Sequence, residues 1–162
     1  MAADSRGVSD HYIGGPRQDS KIFKSGKYLI GFTSSYRMGQ LLMYAKFPQW
    51  KVLNHRFMVT EFVPAIRDIL KTGGFATIEN NRESCGEFLV AGEDKLFTIF
   101  SDFQVSQNAC ASCGSGREVA MGAMMLGCRL TDDKRWLVSK AVDVTGGIIM
   151  SVGGKTVVKS TR

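Results

Sequence analysis

The most conspicuous chemical spacing in this sequence is Cys110-Ala-Ser-Cys113, which matches the C-x-x-C pattern of zinc and dithiol redox sites. A structural zinc needs a second close pair to complete its ligands, and the other two cysteines, Cys85 and Cys128, stand alone. Redox chemistry needs the motif to open a helix after a strand, with a stabilised thiolate. The pattern reads more simply as small, partly buried thiols beside the glycine turn at Gly114. No metal or cofactor is expected. Three polar residues also admit structural readings. Asp4 suits the cap of an Asx turn, Lys21 an exposed position on an alternating strand, and Ser115, between two glycines, the cap of a helix.

The elements that must position these residues follow from composition and periodicity. The opening segment to Pro16, rich in Gly, Ser and Asp, reads as a strand end followed by a long turn. Residues 21–24 and 27–32 flank Ser25-Gly26 and predict a β-hairpin. Ser34 or Ser35 then caps a helix carrying Met38, Leu41, Leu42 and Ala45, which Pro48 is expected to stop. A second helix is predicted from about Phe57 to Lys71, kinked at Pro64 and ended by Gly73-Gly74. Strands over 87–91 and 95–100 join through Gly92-Glu93-Asp94. A third helix follows Gly116, a fourth runs from a cap at Thr131-Asp132-Asp133 to about Val144, and a strand near 156–159 closes the chain. Strands and helices come in blocks, which argues for an α+β fold of antiparallel layers with helices outside.

With 162 residues, 44% of them hydrophobic, the chain is expected to form one domain, 1–162, around a buried core. Its apolar stretches break well short of the ~18–20 residues a membrane span needs. Residues 1–6 show no basic segment leading into an apolar one, so no secretion signal is read and a cytoplasmic protein without membrane association is expected. The formal charge of +6 permits attraction to acidic partners. Lys and Arg read as dispersed among Asp and Glu, without a dense basic run interleaved with aromatics, so no nucleic-acid partner is expected.

Taken in order, Ala2-Ala3-Asp4-Ser5-Arg6, Lys21-Ile22 before a hairpin, Gly31-Phe32-Thr33-Ser34-Ser35 opening a helix and Gly114-Ser115-Gly116 opening another resemble the proteasome β-subunit/HslV-type peptidases. The resemblance runs over nearly the whole chain. It implies the four-layer αββα sandwich of the N-terminal-nucleophile (Ntn) hydrolases. It also implies a chemistry: an N-terminal threonine attacks a peptide carbonyl with its hydroxyl, and its own α-amine takes the proton. An α-amine has an unperturbed pKa near ~8, so a nearby cation helps keep it neutral at pH 7. By the resemblance Lys21 is that cation, Asp4 the carboxylate that holds it, and Ser115 the serine near the amine. The backbone N–H of Ser35 falls where the family places an oxyanion donor, normally on a glycine.

Two departures qualify the match. The family's first strand begins at the catalytic threonine and ends at the Ala-Asp-Ser segment, whereas here Met1 directly precedes Ala2. The resemblance therefore implies a fold written without its first strand and its nucleophile. Ala2 has no hydroxyl or thiol, Ser5 and Thr33 are internal, and the chain as written is expected to be inactive. Loss of a buried strand would forfeit roughly 1.5–3 kcal/mol per large side chain and open a sheet edge. A domain stable by ~5–15 kcal/mol could hardly survive that, so the true start is expected upstream of Met1. The second departure is near the end. Family β-subunits carry Asp-x-x-Ser-Gly-Gly, and Ile149-Met150-Ser151-Val152-Gly153-Gly154 lacks both polar residues at the matching places. Lys140-Ala141-Val142-Asp143-Val144-Thr145-Gly146 looks more like the HslV branch, pointing to a small bacterial or phage-type member.

Three functions stay open on this reading. The first is a threonine-type peptidase protomer that cleaves polypeptide inside a homo-oligomeric ring, served by an ATPase unfoldase. The second is a non-catalytic, proteasome-like structural or assembly subunit. The third is an amidase or acylase of the wider superfamily acting on a small amide.

Overall fold

The computed structural model describes residues 1–9, 12–79 and 82–161. In chain order the elements are β1 (Ala2–Ala3), β2 (Arg6–Ser9), β3 (Tyr12–Pro16), β4 (Ile22–Ser25), β5 (Tyr28–Phe32), α1 (Tyr36–Met43) and α2 (His55–Phe57). A π-helical turn (Met58–Phe62) leads into α3 (Val63–Thr72), followed by β6 (Thr77–Glu79), β7 (Arg82–Ser84), β8 (Phe88–Gly92), β9 (Lys95–Ile99) and β10 (Val105–Asn108). The last elements are α4 (Arg117–Gly127), α5 (Lys134–Gly146) and β11 (Val157–Val158). These fall into two compact units. The first holds Met1–Phe23 with Ser112–Ser160, and the second holds Lys24–Ala111. β4 runs through the boundary.

A five-stranded sheet, ordered β10-β9-β8-β5-β4, is the frame of the second unit. β5, Tyr28-Leu29-Ile30-Gly31-Phe32, is buried at every position, as expected of an unbroken apolar run covered on both faces. β8 instead alternates, burying Phe88, Val90 and Gly92. The β8–β9 turn sets Glu93 at φ 49 and Asp94 at φ 61, the paired left-handed geometry that matches strand twist in a two-residue hairpin. The unit's helices bury Met38, Leu42, Met58, Phe62, Ile66 and Leu70 completely. Tyr28 anchors an aromatic cluster, with ring centroids 5.2 Å from Phe47, 4.3 Å from Trp50 and 5.2 Å from Phe62.

In the first unit α4 packs on α5 so closely that a Cβ at Gly127 would lie 2.3 Å from Leu137 Cδ1. β1 pairs antiparallel with β11, Ala2 opposite Val158 and Ala3 opposite Val157, and lies against α5. β2 and β3 form a hairpin whose register shifts between Arg6 and Val8.

Several boundaries differ from the sequence reading. The opening segment is not a long turn: it holds β1 and the β2–β3 hairpin, whose exposed Val8, Tyr12 and Ile13 carry little inside–outside alternation. Among the two candidate caps of α1 it is Ser35 whose Oγ accepts from Arg37 and Met38 N–H. α1 ends at Met43, before Ala45 and well ahead of Pro48, because the Tyr44 and Ala45 N–H groups turn back to Gln40 and Leu42. The second helix starts earlier, at His55, since Asn54 Oδ1 accepts from Phe57 N–H at 2.8 Å. Immediately before Pro64 the chain passes through the π-helical turn, where Val63 N–H bonds Met58 O. Asp133, not Thr131, caps α5. β6, β7 and β10 had no strong alternation to announce them. Among the described residues no helix is long and apolar enough to cross a membrane.

Candidate active site

Asp4 and Ser5 lie between β1 and β2. The β2–β3 hairpin reverses the chain there, and Arg17 N–H closes it by bonding Ser5 O at 2.7 Å. That closure returns the chain to Asp4, so that Lys21, immediately before β4, reaches it: Nζ lies 2.8 Å from Asp4 Oδ1. Both side chains are largely withdrawn from water, at 18% exposure for Lys21 and 12% for Asp4.

Asp4 uses its other oxygen differently. Oδ2 accepts from Arg6 N–H at 2.9 Å, the Asx-turn bond, and from Gly153 N–H at 3.2 Å. Turn cap and ion-pair partner are therefore two halves of one carboxylate. A charged carboxylate with two backbone donors and an ammonium is well satisfied at this burial. The reading of Lys21 as an exposed strand position is corrected, because it precedes the strand and its ammonium is held at Asp4.

The segment that meets Asp4 is the turn between α5 and β11. Ser5 N–H bonds Gly153 O at 3.2 Å, Lys155 N–H bonds Ser5 Oγ at 2.7 Å, and Arg6 Nη1 donates to Val152 O at 3.3 Å. Glycine is required twice here. A Cβ on Gly153 would lie 2.6 Å from Arg6 Cζ, and one on Gly154, at φ +77, would lie 2.6 Å from Ser5 Oγ.

Ser115 is exposed and stands one residue before Gly116, the N-cap of α4. Its side chain does not cap the helix, which corrects that reading; Ser115 Oγ lies 2.7 Å from Ser151 Oγ. Ser151 shares its turn with Gly153, so one short segment meets both Ser115 and Asp4. Gly116 has no room for a side chain, since its Cβ would lie 2.3 Å from Thr145 Cγ2. Ser151, Gly153 and Arg6 went unremarked as site residues in the sequence. The available signal was Ser151-Val152-Gly153-Gly154, a serine and a glycine pair one residue out of step with the family pattern.

Ser35 belongs to the second unit. Its N–H donates to Thr33 O at 2.8 Å, closing a γ-turn about Ser34, which is held at φ 69. Ser34 Oγ in turn accepts from Glu87 N–H at 3.2 Å. The proposed oxyanion donor is thus engaged by a backbone carbonyl.

Among the described residues no group of three His, Cys, Asp or Glu is placed to hold an ion. Cys110 and Cys128 are exposed, whereas Cys85 donates to Gly86 O at 3.1 Å and burial pushes its thiol up to about 12.

No family model matches the chain, and no curated protein matches it. Solved structures do match. Thiobacillus denitrificans BPH in complex with epoxomicin superposes with a TM-score of 0.78 at 18% identity, covering 96% of this chain and 88% of that one. Thiobacillus denitrificans BPH on its own gives 0.77 at 19% identity, with 96% and 88% covered. Eukaryotic HslV from Trypanosoma brucei gives 0.67 at 16% identity over 98% of this chain and 90% of that one. At these identities the likeness is one of fold: a mixed α+β chain of helices and antiparallel sheets with the Ntn-hydrolase fold of the proteasome and HslV type.

Proposed function

We propose that this chain is a protomer of a proteasome-like assembly whose Asp4–Lys21 pair sets the electrostatics of a threonine-type peptide-hydrolysing centre. One observation carries the reading: a lysine ammonium, mostly out of water, is fixed by a carboxylate that is itself held by two backbone N–H groups. As a stabilising device such a pair is a poor choice, because desolvation offsets most of its attraction. As a fixed positive charge beside an amine it is well suited, since a neighbouring cation favours the neutral, basic form. Lys21 in this scheme keeps an N-terminal amine unprotonated, Asp4 positions Lys21, and Ser115, backed by Ser151, offers a hydroxyl to the amine. The substrate is unfolded polypeptide, the assembly a cytoplasmic homo-oligomeric ring, and an ATPase unfoldase its partner.

A second reading, a non-catalytic structural or assembly subunit of the same fold, is favoured by the engagement of Ser35 N–H in the γ-turn. The two part on hydrolysis of fluorogenic peptides by the native assembly, compared with Lys21→Met and Asp4→Asn. Residues 1–162 open on Met1-Ala2 and not on a threonine, so the catalytic reading expects turnover only from protein that carries the N-terminal threonine, and its loss in both variants, with assembly and far-UV dichroism unchanged. Turnover that survives Lys21→Met overturns the role given to the lysine. A native assembly without turnover selects the structural subunit.

A further inference from the structure

α4 carries an outer face that packing within the chain does not account for. The helix buries Met124 and Gly127, the latter against Leu137 of α5, while Glu118, Gly122, Met125 and Arg129 are all exposed. Their spacing of four, three and four residues sets them on one stripe of the helix, opposite Gly127. α4 ends at Gly127, and a tighter turn, with Arg129 N–H on Leu126 O at 3.1 Å, carries the stripe on to Arg129. A surface helix ordinarily lines such a face with charge. The middle of this one is apolar: Met125 is 63% exposed and Leu126, at its edge, 64%. Gly122 is equally unexplained. Glycine inside a helix weakens it relative to alanine, and a Cβ there would meet nothing within 4 Å, so no contact inside the chain requires it.

We propose that α4 docks on α4 of a second copy of this chain, antiparallel and across a two-fold axis. The stripe is its own complement. An axis passing between Ala123 and Met124 sets Glu118 opposite Arg129 of the second copy and Gly122 opposite its Met125, so one axis serves both pairs. Opposite charges then meet at both ends of the contact, and each methionine enters the gap that a glycine leaves. Glu118 keeps Arg117 Nε at 2.9 Å from one oxygen, yet its side chain is 73% exposed and open to a second cation. A parallel pairing would set Glu118 on Glu118 and Arg129 on Arg129, so charge selects the antiparallel one. Charge and shape that match about a single two-fold axis select a second copy over an unrelated partner. Pairing through α4 does not depend on any chemistry at Asp4 and Lys21. One pair of helices buries less than the ~1,200 Å² of a stable interface, so on its own the association is expected to be weak and concentration-dependent.

Sedimentation equilibrium on the full chain, over a range of concentrations, tests this. The unmodified chain is expected to exceed the mass of one copy. Glu118→Arg and Arg129→Glu each set like charges against one another at both ends, and each is expected to weaken the association about tenfold, with the particle mass falling towards half. Restoration separates this pairing from a general effect of charge. Glu118→Arg/Arg129→Glu in one chain, and an equal mixture of the two single variants, both return opposite charges to both ends and are expected to associate as the unmodified chain does. An unmodified chain that stays at the mass of one copy up to about 1 mM overturns the proposal. Single variants that associate as well as the unmodified chain also overturn it, and so does a mixture that associates no better than its components. If the double variant loses its far-UV dichroism, the mixture alone decides.

Discussion

A double-mutant cycle on Asp4 and Lys21 separates a functional ion pair from an incidental one. Lys21→Met removes the ammonium and leaves Asp4 with its two N–H donors, a carboxylate at 12% exposure without its counter-charge. Asp4→Asn keeps an oxygen for Arg6 and Gly153 N–H but turns its amide donor towards Lys21 Nζ, so two donors confront each other. Breaking one side of a fully buried pair costs about 3–5 kcal/mol, and residual exposure of both side chains reduces this to about 1–3 kcal/mol for each single change. The double variant has neither an orphaned charge nor opposed donors from the pair itself, so its cost should fall short of the sum by about 1–2 kcal/mol. Urea unfolding of the four proteins, with the m-value checked for constancy, reads the coupling directly. Additivity to within about 0.5 kcal/mol would show that the two groups do not depend on one another, and the reading of Asp4 as the positioning residue for Lys21 would go with it. If the double variant regains stability while peptide turnover stays lost, the pair is kept for chemistry.

Three further outcomes follow from packing and burial. Gly39→Ala in α1 places a Cβ 2.1 Å from Phe32 Cζ, and since the ring lies in a buried strand the change should cost about 1–3 kcal/mol in urea unfolding; Phe32→Leu in the same chain should recover part of it. Burial raises the Tyr28 hydroxyl far above its ordinary value of 10, so its contribution is intact below that pH and is lost as pH rises towards the folded value. Stability measured from pH 9 to pH 11 should therefore fall by up to about 1.4 kcal/mol per unit above pH 10, and Tyr28→Phe should flatten that fall while lowering stability overall through the lost bond to Pro48 O. With its thiol at about 12, Cys85 should resist iodoacetamide at pH 8 while exposed Cys128 is alkylated, as peptide mass mapping will show; rapid labelling of Cys85 in the folded chain would contradict its burial.

Strong periodicity made the frame of the chain readable, and weak periodicity hid the rest. The β4–β5 hairpin, the β8–β9 hairpin and α3 to α5 are carried by unbroken apolar runs, turn residues or helical stripes, and each lies close to where pattern placed it. β2 and β3 expose most of their side chains on both faces, so no alternation could announce them. The π-helical turn could be anticipated only as a disturbance at Pro64, since its form depends on which carbonyl Val63 N–H finds. Within the site, Asp4 and Lys21 could be paired from sequence only through resemblance. Their contact is made by a hairpin that sequence did not reveal. Ser151 was obscured by a single residue of offset from the expected Ser-Gly-Gly.

That offset explains why the polar residues are the less informative part of the site. Three segments distant in sequence, at 4–6, at 21 and at 153–155, meet through Asp4 and Ser5, and two of the contacts are made by main-chain groups of the last turn. The space beside Gly153 and Gly154 is already filled by Arg6 and by Ser5. A serine can shift one place along such a turn and still reach a neighbour, as Ser151 reaches Ser115. A glycine cannot, because moving it would drive a Cβ into the guanidinium or the hydroxyl and push the turn away from Asp4. Lys21's charge is thus held by a carboxylate that is itself fixed in part by the Gly153 N–H from the opposite end of the chain.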